Sequence, residues 1–97
     1  MSDKCNEIDK DKLIEILTEE LPSLRAKIGI SQEELCSIVG ISRQTYSSIE
    51  TKKRKMSWNT YLSLIMFFIH NEKTLPVIDT IGAFPESLRD SLNINNR

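Results

Sequence analysis

The chain has 97 residues, of which 39% are hydrophobic and 28% charged, with a formal net charge of −1. That length supports one small domain, or one domain with a tail, around a modest core, and the total charge alone argues against a nucleic-acid partner. Two cysteines, Cys5 and Cys36, and one histidine fall short of the four ligands of a structural zinc site and form no disulfide framework, so no metal or cofactor is expected and a reducing cytoplasm fits.

Residues 1–7 are polar and are expected to be disordered, leaving 1–8 outside the fold. They lack the apolar core of a signal peptide, and the longest apolar run, 62–69, is far short of the ~20 residues that cross a bilayer. No membrane association is expected.

From about Asp9 a helix is predicted, because Leu13, Ile14, Leu17 and Leu21 recur at helical spacing and Asp9, Asp11 and Glu15 put negative charge near its start. Pro22 interrupts this pattern and predicts a kink or a break. Leu24 and Ile28 then face the core, and Gly29 closes the segment.

Residues 32–51, QEELCSIVGISRQTYSSIET, read as two short helices joined by a sharp turn. Ser31 and Glu34 have the spacing of a capping box. Leu35, Cys36, Ile38 and Val39 form an apolar face. Gly40 stands where the chain needs a left-handed residue. Ile41 is buried in the turn, and Ser42 caps the second helix. That helix turns Tyr46 and Ile49 inward and presents Arg43, Gln44, Ser47 and Ser48 on its other face.

A basic run, Lys52, Lys53, Arg54 and Lys55, follows, and Ser57 then caps a helix from Trp58 to about His70. On this helix Trp58, Tyr61, Leu62, Ile65, Phe68 and Ile69 share one face. Leu64 and Phe67 fall outside it and need a cover, either the C-terminal tail or a second subunit. In the tail, Thr74 is placed to cap a short helix opening with Leu75 and Pro76 and ending before Gly82. Pro85 opens another, with Phe84, Leu88 and Leu92 at i, i+4 and i+8. The last five residues read as frayed.

Charge is unevenly distributed. Residues 1–20 carry three basic and seven acidic groups, net −4; residues 21–55 carry seven and three, net +4; residues 56–97 carry three and four, net −1. A local basic patch, rather than the total, governs attraction to phosphate.

The 32–51 stretch, with a small residue at Cys36, glycine at Gly40 and apolar residues at Leu35, Val39, Ile41, Tyr46 and Ile49, resembles the helix-turn-helix of the phage repressor and Cro type, the Xre-like family. The likeness extends outward to about 21–68. It implies an all-α, compact helical bundle of the lambda-repressor-like DNA-binding type, here with an extra N-terminal helix and a short helical C-terminal tail. The expected organisation is a DNA-binding domain over 9–72 and, over 73–97, a tail that covers the core or mediates dimerisation. The family commonly has glycine near Lys52 and proline near Met56; both are absent here.

The resemblance also assigns roles. Arg43, Gln44 and Ser48 take base-reading positions. The guanidinium fork of Arg43 matches guanine, and the amide of Gln44 matches adenine. Gln32, Ser42, Thr45, Lys52, Lys53 and Arg54 fall at or beside phosphate-contacting positions, and Lys55 adds nonspecific attraction. Arg25 and Glu50 are expected to form an ion pair between the first helix and the end of the recognition helix. Taken alone, a basic run is a solvated loop, and Arg43 and Gln44 are ordinary surface residues; the motif around them gives them a task. The implied function is a cytoplasmic, sequence-specific regulator of transcription that binds double-stranded DNA as a homodimer. The alternative is an antitoxin-like or antirepressor-like module that binds a protein partner with the same fold. One histidine and two distant cysteines offer no arrangement for nucleophilic catalysis, so no enzyme is expected.

Overall fold

Asp9 opens the first helix. Its carboxylate accepts from the backbone N–H of Lys12 at 3.1 Å, which satisfies one of the donors that every helix start leaves without a partner. In the computed structural model, which describes residues 8–93, this is the first of six helices: α1 (Lys10–Ile28), α2 (Gln32–Val39), α3 (Arg43–Glu50), α4 (Trp58–Ile69), α5 (Leu75–Ile81) and α6 (Glu86–Leu92). The described residues contain no strand. The expectation of a disordered 1–7, and that of a frayed 93–97 except for Asn93, lie outside the described residues. Ile8 packs against the core.

α1 runs unbroken through Pro22, so the acidic segment and the segment of Leu24 and Ile28 form one element rather than two. Proline removes a helical N–H and crowds the carbonyl four residues back, at a cost of ~3 kcal/mol in a helix interior. Pro22 stands on the solvent side, where water can reach the carbonyl it leaves unbonded. Leu17, Leu21 and Leu24, on the opposite side, are completely buried and hold both halves of the helix to one core. Burial of each such side chain contributes ~1.5–3 kcal/mol, enough together to outweigh the proline. Gly29 then ends α1 in the left-handed region at φ +82°.

Ser31 and Glu34 complete their capping box at α2, each bonding the other's backbone N–H at 3.0 Å. Leu35 and Cys36 are buried and Val39 is partly buried, but Ile38 is 62% exposed and does not belong to the core face. At about 100° per residue, Leu35, Val39 and Cys36 fall within an arc of about 100°, and Ile38 lies about 60° outside it. Ser42 and Ser57 cap α3 and α4 through the backbone N–H groups of Thr45 and Thr60.

α1 packs against α3 and α4, and α2 bridges α3 and α4. Met56, one residue before the α4 cap, is buried in the same core. The tail covers much of α4: Ile78, Ala83, Phe84 and Leu88 join one core with Tyr61, Leu64, Ile65 and Phe68. Leu64, expected outside the core face, is fully buried on the same side of α4 as Tyr61, Ile65 and Phe68, while Phe67 stays partly exposed. The Tyr61 hydroxyl donates to the carbonyl of Ala83, tying the tail to α4. Thr74 does not cap α5. Its backbone is αR rather than extended, and its buried hydroxyl donates at 2.7 Å to the carbonyl of Phe68 in the last turn of α4. Leu92, the last of the three tail apolar positions, is exposed because α6 ends there.

Candidate nucleic-acid interface

The orientation of α3 follows from its two faces. Tyr46 and Ile49 are buried, which leaves Arg43 and Gln44 exposed at the first turn and Ser47 and Ser48 on the same outer side. Arg43, Gln44, Ser47, Ser48, Thr51 and Lys53 line one shallow depression along the helix. Ser47 and Thr51 were not among the expected contact residues. They stand four and eight residues after Arg43, so helical spacing alone places them beside it.

The edge of this surface is built from hydroxyls and a cation. The Ser42 Oγ accepts from the Thr45 backbone N–H at 3.0 Å and donates to Thr45 Oγ1 at 2.9 Å. Arg54 Nη1 donates to the same Thr45 oxygen at 3.1 Å. Ser42, Thr45 and Arg54 thus form a connected polar edge near the N-terminus of α3. Helix N-termini favour anions, since their free N–H groups and the helix dipole both point positive charge outward.

The end of α3 sets the path of the basic run. Lys52 N–H bonds the Ile49 carbonyl at 2.9 Å and Lys53 N–H bonds the Ser48 carbonyl at 2.8 Å, the paired bonds of a Schellman cap. Such a cap requires a left-handed residue, and here it is Lys52, at φ +65°, the one described non-glycine residue with positive φ. The sharp turn divides the four cations. Lys53 lines the α3 depression and Arg54 reaches Thr45. Lys52 and Lys55 turn to α1, with Lys52 Nζ 2.5 Å from Glu19 and Lys55 Nζ 2.7 Å from Asp11.

A polar network anchors α3 from behind. Arg25 meets Glu50 with two parallel bonds, Nε to Oε2 at 2.9 Å and Nη2 to Oε1 at 3.0 Å, and its Nη1 donates to the Ile30 carbonyl at 3.2 Å. Glu50 also accepts from the Tyr46 hydroxyl and the Gln32 amide, both at 2.7 Å. Burial raises the pKa of the Glu50 carboxyl, but the bonds from Arg25, Tyr46 and Gln32 outweigh it and hold the group below the usual carboxylate value. Tyr46 is pushed up by burial and by its carboxylate partner, and Arg25 by its bond to Glu50. Gln32 therefore sits at the start of α2 with its amide N–H₂ turned onto Glu50. The Cys36 thiol is buried behind the motif, and burial raises its pKa, so it packs as a small apolar group.

Residues 23–57 match the helix-turn-helix family. This stretch is a helix-turn-helix of the Cro/C1, Xre-like type. The all-helical arrangement of the described residues is consistent with a lambda-repressor-like fold, and the matched stretch supports DNA binding. The match begins one residue after Pro22 and ends at Ser57, so the acidic N-terminal two-thirds of α1 lies outside it, as do α4, α5 and α6. Neither the curated proteins nor the solved structures give a significant match to the chain. No helix among the described residues is long and apolar enough to cross a membrane.

Proposed function

We propose that this protein is a sequence-specific regulator of transcription that reads duplex DNA by laying α3 in the major groove. The observation that carries this reading is the outer face of α3: Arg43, Gln44 and Ser48 share one exposed depression with Lys53, while Tyr46, Ile49 and the Arg25–Glu50 network hold the helix rigidly from behind. Arg43 and Gln44 occupy the first turn, the part of a recognition helix that reaches base edges. Ser42, Thr45, Lys53 and Arg54 meet the flanking phosphates, and Gln32 contributes from the start of α2 while it braces Glu50.

One small helix-turn-helix grips DNA only modestly, so the protein acts as a homodimer on an inverted repeat with half-sites ~10–10.5 base pairs apart, or a multiple of that. Leu64 is buried in the core of its own chain and takes no part in the dimer. Support for a contact comes from Ile38 and Met66, which are 62% and 54% exposed and line a mainly apolar groove with Val39, Leu62 and Phe67, edged by Ser63, His70 and Asn71. The same groove favours a second reading, in which an antitoxin-like or antirepressor-like module holds a partner protein there.

Selection of a binding site from random duplexes, followed by fluorescence anisotropy, tests the main reading. Arg43→Ala and Gln44→Ala should each relax the choice of base at one position by about 1–3 kcal/mol. Selection that yields no site, from protein that is folded and dimeric, would favour the second reading. A chain that sediments as a monomer at high concentration would contradict the homodimer.

A further inference from the structure

The four cations that follow α3 are not equivalent. Lys53 and Arg54 have no carboxylate partner among the described residues and belong to the α3 surface. Lys52 and Lys55, the two ends of the run, are paired with Glu19 and Asp11 of α1. Those carboxylates are eight residues apart, two turns or ~12 Å along one side of the helix, so α1 offers two separated anions to two separated lysines. The spacing between neighbouring phosphates on a DNA strand is shorter, but the chemistry is the same: an anionic row that binds ammonium groups. Asp11 and Glu19 lie outside the matched helix-turn-helix. Lys10, beside Asp11, lies 5.2 Å over the ring of Trp58, which fixes the start of α1 against α4, next to the loop.

Resting on the DNA-binding reading, we infer that Asp11 and Glu19 are specificity determinants that act as an internal substitute for DNA phosphate. They occupy Lys52 and Lys55 and so withhold half of the basic loop from sequence-independent attraction. Backbone contacts draw a protein to any DNA, whereas base contacts choose among sequences. Holding two lysines in reserve lowers the first contribution and leaves the second, through Arg43 and Gln44, intact. Both ion pairs are solvent-exposed, so each is weak, equivalent to about a 1.5- to 5-fold change in affinity. The restraint is therefore graded rather than absolute.

A double-mutant cycle tests this with the full chain and a mixed-sequence duplex of about 20 base pairs, by anisotropy across a salt series. Asp11→Asn/Glu19→Gln should bind about 3- to 20-fold tighter than wild type, and its log–log salt slope should steepen by about 0.9 for each lysine released. Lys52→Gln/Lys55→Gln should change wild-type binding less than about twofold, yet should abolish the whole gain when combined with the α1 substitutions. Lys53→Gln/Arg54→Gln should weaken binding and flatten the slope in either background. Equal effects of the Lys52/Lys55 substitutions in both backgrounds would overturn the inference while leaving DNA binding intact, because the gain would then come from net charge alone. Absence of binding by every folded variant at low salt would overturn both the inference and the DNA-binding reading. Circular dichroism melting of each variant checks that the fold persists.

Discussion

Lys52 occupies a left-handed backbone position that glycine takes without strain. A non-glycine residue there costs about 1–2 kcal/mol, while the Glu19 pair it forms is exposed and returns less than about 1 kcal/mol. Lys52→Gly should therefore raise stability by about 0.5–1 kcal/mol, and Lys52→Ala, which keeps the strain and loses the pair, should lower it slightly. Thermal melting orders the three proteins. Glu50 is the opposite case, since its side chain is only 8% exposed and accepts four hydrogen bonds. Removing Arg25 would leave that carboxylate buried without its counter-charge, at a cost of about 3–5 kcal/mol. Lys55→Ala removes only an exposed pair and should cost less than about 1 kcal/mol. Equal melting shifts for Arg25→Ala and Lys55→Ala would refute this asymmetry. The lowered Glu50 pKa also sets a pH dependence. Its stabilisation is complete above the unfolded value of 4.5 and drains away as pH falls through the lower folded value. Wild-type stability should therefore fall below about pH 4.5 more steeply than that of Glu50→Gln, which starts lower and has no proton to bind at this site.

At the scale of elements, α1 carries an internal conflict. Pro22 opposes the helix locally, and the buried leucines on either side of it enforce the helix. Pro22→Ala should restore a backbone bond and relieve the ring contact, raising stability by about 1–3 kcal/mol. Urea unfolding should show a higher midpoint with an unchanged slope, as expected when stability changes without a change in the surface exposed. α3 carries no such conflict. Its cap, its inward pair and its outward polar face all agree, which is why its start and orientation could be read from residues 42–51. Its C-terminus could not be read in the same way, because a lysine in a glycine position hides the Schellman cap that turns the basic run.

Across the whole molecule, the tail is part of the core. Ile78, Phe84 and Leu88 are buried in the one core that α4 shares, each contributing about 1.5–3 kcal/mol, a total comparable with the ~5–15 kcal/mol that keeps a domain folded. A chain truncated after Asn71 should lose cooperative melting, because Tyr61, Leu64 and Phe68 would lose their cover and the Tyr61 hydroxyl its acceptor. The opposed charges of the two ends of the sequence, net −4 over 1–20 and net +4 over 21–55, meet in space as the pairs between α1 and the basic loop.

The sequence by itself determined the motif. Caps, glycine stops and apolar spacing act within a few residues of one another, so the capping box of Ser31 and Glu34, the turn at Gly40 and the outward face of Arg43 and Gln44 needed nothing from the rest of the chain. The tertiary structure decided what depends on distant partners. Leucines packed from elsewhere carry α1 through Pro22. Packing within the chain, rather than another molecule, buries Leu64, while Ile38 is left without a cover. A buried acceptor at Phe68 draws Thr74 away from its capping role. The basic run divides in two because Glu19 and Asp11, 33 and 44 residues from Lys52 and Lys55 along the chain, are brought beside it by the packing of α1, and no local pattern records that approach.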